Sequence, residues 1–382
     1  MKIRKNYILA PGPTPVPPEV AAAGAWPMIH HRTPQFCAII KEVAQGLKVL
    51  FQTQHPVYFT ASSGTGVMEA AVANLMSPGE TMIVLECGKF SERWSEIGKS
   101  FGCNIVPVKV EYGKVVSPAQ VEEALQQNPK TKAVFMQLSE TSTGCVLDVE
   151  AIGKVVAKTD ALLAVDGISG VGAEPCYPDT WGIDCLLTGS QKGVMLPPGL
   201  GFISVSPKGW KAVEQSKSPR YYFDLRAYKK ALDASDSPYT PAISLLYQLK
   251  EALKIIQNET MEGMWARHAW LAKATRAAVK ALNLELFAER PGNILTSIKI
   301  PAGVDGEKLV KTMRDDLGVT IAGGQGSMKG KVMRIAHLGY MDRFDITTAI
   351  SALEIALKRQ GFPVKLGAGV SAAEEILWED PK

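Results

Sequence analysis

Between about residues 55 and 206, short apolar runs alternate with segments whose apolar positions recur at helical spacing. Val57–Ala61, Met82–Glu86, Ile105–Val110, Ala133–Leu138, Leu162–Asp166, Cys185–Thr188 and Gly201–Val205 read as buried strands. Val67–Met76, Glu92–Phe101, Pro118–Gln127 and Val149–Lys158 read as helices between them. Strands alternating with helices predict an α/β fold with a mainly parallel sheet covered on both faces. In such a sheet the loops at the C-terminal strand ends carry the chemistry.

The pattern differs on either side. Residues 9–18 hold five prolines and Gly12, which predicts an extended arm or loop that is either a strap over the surface or a close approach to a ligand. Residues 208–240 are polar and aromatic, and 242–282 follow a long helical pattern with a break near Glu262-Gly263. Strand Thr296–Ile300, helix Gly306–Leu317, the Gly323–Gly326 loop, strand Val332–Ala336 and helix Asp345–Lys358 predict a small α+β domain. Ala372–Trp378 reads as a short helix in the tail. The expected division is an N-terminal arm over 1–17, a large domain over 18–260 and a small C-terminal domain over 261–382.

Composition narrows the function more than the fold. The 382 residues are 46% hydrophobic and 21% charged with a net charge of +4, ordinary for a soluble globular chain. Without a dense Lys/Arg block, no nucleic-acid partner is expected. The six cysteines form no CxxC pair and the five histidines show no ligand spacing, so we expect a reducing, cytoplasmic location and no metal. No apolar run is long enough for a membrane span, and Tyr7–Ala10 is too short for a signal-peptide core.

Three motifs sit at predicted strand ends. Ser62-Ser63-Gly64-Thr65-Gly66 follows the first strand and opens a helix, where free N–H groups and the helix dipole suit a phosphate; a plain helix cap is the other reading. It is not a dinucleotide fingerprint, because the third glycine position holds Glu69, and Gly330-Lys331 lacks the glycine and hydroxyl of a Walker A loop. Asp166 closes one buried run, and Lys192 follows the next. Alone, Asp166 reads as a cap and Lys192 as a turn residue. Together with an anion loop they are the three things pyridoxal phosphate needs: an amine to bind it, a carboxylate for its ring nitrogen and a cradle for its phosphate.

The chain also resembles the class V aminotransferases of pyridoxal phosphate fold type I, closest to the alanine–glyoxylate and serine–glyoxylate (serine–pyruvate) enzymes. The likeness runs from Ala10-Pro11-Gly12-Pro13 to about Leu357. It rests on Ser190-Gln191-Lys192 with Pro197-Pro198-Gly199, on Val165-Asp166-Gly167, on Glu140-Thr141-Ser142-Thr143-Gly144 and on Gly330-Lys331-Val332-Met333-Arg334-Ile335. It implies a large domain with a mainly parallel seven-stranded sheet and a small α+β C-terminal domain. Lys192 would carry the cofactor and Asp166 pair with its ring nitrogen. Ser63, Gly64, Thr65 and Gln191 would hold the phosphate, Phe90 would stack on the ring, Ile168 would pack beneath it, and Thr141 would lie near its phenolic oxygen. Arg334, with Gly12 close by, would bind the substrate carboxylate. Tyr239 and Thr240, with Ser237 as the alternative register, would reach a neighbouring subunit's phosphate, which implies a homodimer with composite sites.

The implied reaction is ping-pong transfer of an amino group from alanine or serine to a 2-oxo acid such as glyoxylate or pyruvate. No second arginine is assigned to a distal carboxylate, which favours small donors. A desulfurase needs a cysteine in the C-terminal part, and none follows Cys185. A lyase acting on a hydroxy- or phospho-amino acid and a non-catalytic subunit that keeps the fold remain as alternatives.

Overall fold

The computed structural model describes residues 5–381. Seven strands form the central sheet: β1 (Val57–Ala61), β2 (Thr81–Glu86), β3 (Asn104–Lys109), β4 (Thr131–Gln137), β5 (Leu162–Asp166), β6 (Cys185–Gly189) and β7 (Leu200–Val205). Their order is β1-β7-β6-β5-β4-β2-β3, with β7 antiparallel to both neighbours and the remaining pairs parallel. Every anticipated strand is found, its ends within about two residues. Both faces are covered, so the inner strands are near-continuous apolar runs, while the edge strand β3 is only half-buried. Along β2, Ile83 and Leu85 face a core shared with helices Pro34–Phe51 and Ile243–Glu259. Met82 and Val84 face the other way, toward helices Gly64–Leu75 and Lys89–Ser100.

Helix Pro34–Phe51, and helices Pro207–Gln215 and Leu225–Asp233 in the polar stretch, lie outside the anticipated pattern. Phe36, Ile40, Val43, Leu47 and Leu50 form the buried face of the first, and Thr33 caps it. The long helical segment divides at Thr260, upstream of the expected break, because Thr260 takes φ +67° and its side chain accepts from Gly263 N at 3.1 Å. Gly263 therefore lies inside the first turn of helix Met261–Ala281.

A second sheet, of order β8-β10-β9, joins β8 (Leu295–Lys299), β9 (Ala322–Gly323) and β10 (Val332–Ala336), all antiparallel. It shares its own core with helices Met261–Ala281, Arg343–Arg359 and Ala368–Leu377. Part of the expected glycine-rich loop is thus the edge strand β9. The N-terminal arm is pinned into this unit. Leu9 is fully buried there, donates to Thr320 O at 2.8 Å and accepts from Ala336 N at 2.8 Å.

Candidate active site

Strands β5 and β6 run side by side, with Asp166 in register with Leu187, so their C-terminal ends open at one place. Asp166 is the last residue of β5, and its carboxylate accepts from Ile168 N at 2.7 Å. Thr188 Oγ1 donates to Gly167 O and Ile168 O, fixing the loop that follows. Burial pushes Asp166 up to about 7, with Glu140 adding to the rise and Ile168 N–H, Arg93 and Lys192 opposing it.

The turn after β6 is closed on itself. Ser190 Oγ donates to Pro197 O at 2.7 Å and accepts from Leu200 N at 3.1 Å, and Met195 N donates to Lys192 O at 3.0 Å. Gly193 packs against Val171, where any Cβ would strike the Val171 carbonyl. The turn aims Lys192 inward, and Nζ donates to Pro11 O. Burial pulls Lys192 down to about 8; Arg334 and Arg93 act with it and Asp166 against it.

Lys192 and Asp166 share the wall of a cavity of about 120 Å³. Ser63, Gly64 and Thr65 line it, as do Phe90, Thr141, Ile168 and Gln191. Ser63 caps helix Gly64–Leu75 without a side-chain bond. Among the described residues no intrachain acceptor meets the N–H groups of Gly64 and Thr65, as at any open helix N-terminus. Gln191 Oε1 is buried without a partner, and a Cβ built on Gly189 would lie 3.1 Å from it and 3.5 Å from Gly64 N. Open N–H donors at this helix N-terminus fit the phosphate of a cofactor. A buried acid and a desalted lysine amine on the same wall fit its ring nitrogen and aldehyde.

Arg334, on β10 opposite Ser297 and Ala322, is almost fully buried but is not on the wall of this cavity. Nη1 donates to Thr141 O at 2.8 Å, and Nε and Nη2 donate to Gly323 O at 3.1 and 2.6 Å. Burial lowers it to about 10, with Glu140 opposing. Among the described residues no carboxylate pairs with it. Gly12 sits against Lys192: at φ +137°, any Cβ there would meet the lysine side chain.

Tyr239 and Thr240 are not brought to this cavity within the chain. They line a separate hollow with Phe59, Ala61 and Leu200, where Tyr239 stacks on Tyr222 at 5.1 Å. Ser237 Oγ is used locally, donating to Tyr239 O.

Four residues near the site were given no role from the sequence, Glu140 among them although it lies in the Glu140–Gly144 motif. Ser139 and Ser169 line the cavity, and Ser169 shares a 2.6 Å hydrogen bond with Thr141. Glu140 is fully buried; its carboxylate accepts from Ser91 N at 2.8 Å, Phe90 N at 3.3 Å and Ser142 Oγ at 2.6 Å. Arg93 lines the cavity one turn beyond Phe90. The available signal was the i, i+3 spacing of Phe90 and Arg93, hidden by starting the helix at Glu92 instead of Lys89.

Comparison with known proteins adds a family. The model described as Aminotransferase class-V matches residues 7–356. A soluble hydrogenase 42 kDa subunit of Anabaena cylindrica is 40% identical over 97% of this chain and 98% of its own. The serine–glyoxylate aminotransferase of Methylorubrum extorquens is 36% identical over 99% of this chain and 97% of its own. Among solved structures, the ureidoglycine–glyoxylate aminotransferase of Bacillus subtilis superposes with a TM-score of 0.94 at 27% identity, covering 99% of this chain and all of that one.

Proposed function

The chain belongs to the class V aminotransferases, with the fold of type I pyridoxal phosphate enzymes, and we infer that it moves an amino group from a small amino acid, alanine or serine, to glyoxylate or pyruvate. The observation that carries the reading is the joint placement of Lys192, Asp166 and an open helix N-terminus on one cavity.

When bound, pyridoxal phosphate supplies an electron-accepting ring that stabilises the charge left when an amino acid loses its α-proton. Lys192 is the residue that holds this group and then carries the proton. An amine with its pKa lowered to about 8 is neutral in a useful fraction near neutral pH, so it can take a proton from the α-carbon and return it. Asp166 presents its carboxylate to the ring nitrogen; a positive partner there would stabilise the ionised form that burial otherwise disfavours. Gly64 and Thr65 N–H groups and the Gln191 side-chain NH2 would hold the phosphate, and Phe90, Ile168 and Thr141 would pack around the ring. Arg334 takes the α-carboxylate of amino acid and oxo acid in turn, which fixes both in one orientation. The net exchange is ping-pong: the first amino acid leaves as its 2-oxo acid before the acceptor enters.

Tyr239 and Thr240 act across a homodimer, at the partner's phosphate. Their placement away from the chain's own cavity, with Tyr239 half-buried and Thr240 exposed, supports that arrangement. A cytoplasmic location is supported by six cysteines that are all free thiols. Among the described residues no helix is long and apolar enough to cross a membrane.

The test is optical. Protein reconstituted with pyridoxal phosphate should gain a visible absorption band that Lys192→Ala lacks, and alanine or serine should bleach it. A colourless wild type would sink the cofactor reading. A coloured protein unresponsive to Ala, Ser, Gly, Asp and Glu would sink the transaminase reading.

A further inference from the structure

We propose that Arg93 is a phosphate-gripping residue of this chain, closing with its guanidinium the anion cup that Gly64, Thr65 and Gln191 begin. The proposal rests on pyridoxal phosphate being the cofactor.

Arg93 is held from two sides. Its guanidinium carbon lies 5.1 Å from the Phe90 ring centroid, a cation–π contact that holds the group over that ring. Nη1 donates to Thr65 Oγ1 at 3.1 Å, which brings the group to the helix N-terminus that opens the cup. Phe90 and Arg93 share a helix, Lys89–Ser100, whose first turn is clamped by the buried Glu140 carboxylate through Phe90 N and Ser91 N. The cation is therefore positioned before any ligand arrives.

It is also unspent. Thr65 Oγ1 takes one of five N–H donors, and among the described residues no other acceptor and no carboxylate meets Arg93. Asp166, on the same cavity wall, is within electrostatic reach of Arg93 but does not pair with it, so most of the fork stays open to an incoming anion. Phosphate matches the fork, which can give it two parallel hydrogen bonds. The substrate carboxylate has a different arginine: Arg334 is anchored on Thr141 O and Gly323 O, on the strand β10 side. The two cations thus serve two anions, and both act electrostatically on Lys192.

The competing occupant is the distal carboxylate of a dicarboxylic amino acid, and one experiment separates the two. Cofactor-free wild type, Arg93→Gln and Arg93→Lys are titrated with pyridoxal phosphate and, in parallel, with pyridoxal, which has the same ring and aldehyde but no phosphate. Arg93→Gln should bind pyridoxal phosphate about 30- to 100-fold more weakly while its affinity for pyridoxal stays within about twofold of wild type. Arg93→Lys should recover part of the loss, since it keeps the charge without the fork. Inorganic phosphate should compete with pyridoxal phosphate in wild type and less so in Arg93→Gln. An equal loss for both ligands would mean that Arg93 only shapes the wall, and the proposal would fall. Unchanged cofactor affinity, with KM raised for aspartate and glutamate but not for alanine or serine, would overturn it in favour of the distal carboxylate. If wild type itself forms no visible band with pyridoxal phosphate, the cofactor reading fails first and takes the proposal with it.

Discussion

Lys192 Nζ donates a hydrogen bond to the backbone carbonyl of Pro11, so the N-terminal arm meets the buried lysine amine directly. The same arm is tied to the lysine turn by Thr14, whose N–H reaches Gln191 O at 3.2 Å and whose Oγ1 reaches Lys192 O at 3.0 Å. Farther back, Leu9 is buried in the second core, under the three-stranded sheet. The arm therefore links that core to the turn that carries the lysine. A proline-rich stretch suits the task because its φ angles are already fixed and little entropy is lost on docking.

Gly12→Ala tests this contact. Gly12 lies at φ +137°, a region hostile to a β-carbon, and a Cβ there would come within 2.6 Å of Lys192 Cε. The arm must shift or the lysine must swing aside. We expect a folded protein destabilised by about 1–3 kcal/mol, with attachment of pyridoxal phosphate slowed at least tenfold. Melting curves and stopped-flow absorbance would show it. Attachment at the wild-type rate would mean that the arm does not constrain the amine.

Attachment should also report the lysine's pKa. Only the neutral amine attacks an aldehyde, and burial with Arg334 and Arg93 nearby brings Lys192 down to about 8. The rate for cofactor-free protein should rise about tenfold per pH unit below that value and level off above it. An ordinary lysine would keep rising to about pH 10.4. A rate still climbing steeply at pH 9.5 would contradict the lowered value.

The parts of this molecule that were legible in the sequence are those whose cause is local. Strands β4, β5 and β6 are covered on both faces, so each shows as an unbroken apolar run, and Asp166 and Lys192 follow from where two of those runs stop. The start of helix Lys89–Ser100 has a distant cause. Glu140, some 50 residues along the chain, caps it, and nothing near Lys89 announces that carboxylate. Arg93 was lost with the misplaced start. Helix Pro34–Phe51 is a different case: its signals, Thr33 before Pro34 and apolar residues at helical spacing, were local and readable, and the reading passed over them.

Asp166→Asn should trade function for stability. Burial raises this carboxyl from 3.8 to about 7 in the cofactor-free fold. A raised carboxyl pKa leaves the fold unpenalised below about pH 4, and its stability is lost progressively as pH rises to about 7. The neutral amide avoids that loss, so cofactor-free Asp166→Asn should exceed wild type in stability by an amount that grows from pH 5 to pH 8, to at most ~4 kcal/mol. With cofactor bound, the variant should lose about 10²–10³ in kcat, because the ring nitrogen no longer has a charged partner. A stability gap that is flat with pH would show that Asp166 does not titrate in this range.

Arg334→Gln separates binding from chemistry. The guanidinium is held by two backbone carbonyls and, among the described residues, forms no ion pair, although Glu140 is within electrostatic reach; it is a buried cation already oriented for an incoming anion. Glutamine keeps some hydrogen-bonding capacity but neither the charge nor the fork. A lost charged hydrogen bond costs about 1.5–3 kcal/mol, so kcat/KM should fall roughly 10- to 150-fold for amino donor and oxo-acid acceptor alike. Both should fall together because each presents the same α-carboxylate to the same residue. Cofactor affinity should stay within about threefold of wild type, since Arg334 is not on the wall that Lys192 and Asp166 share. A loss confined to one of the two substrates would move Arg334 from the shared α-carboxylate to a group that only that substrate carries.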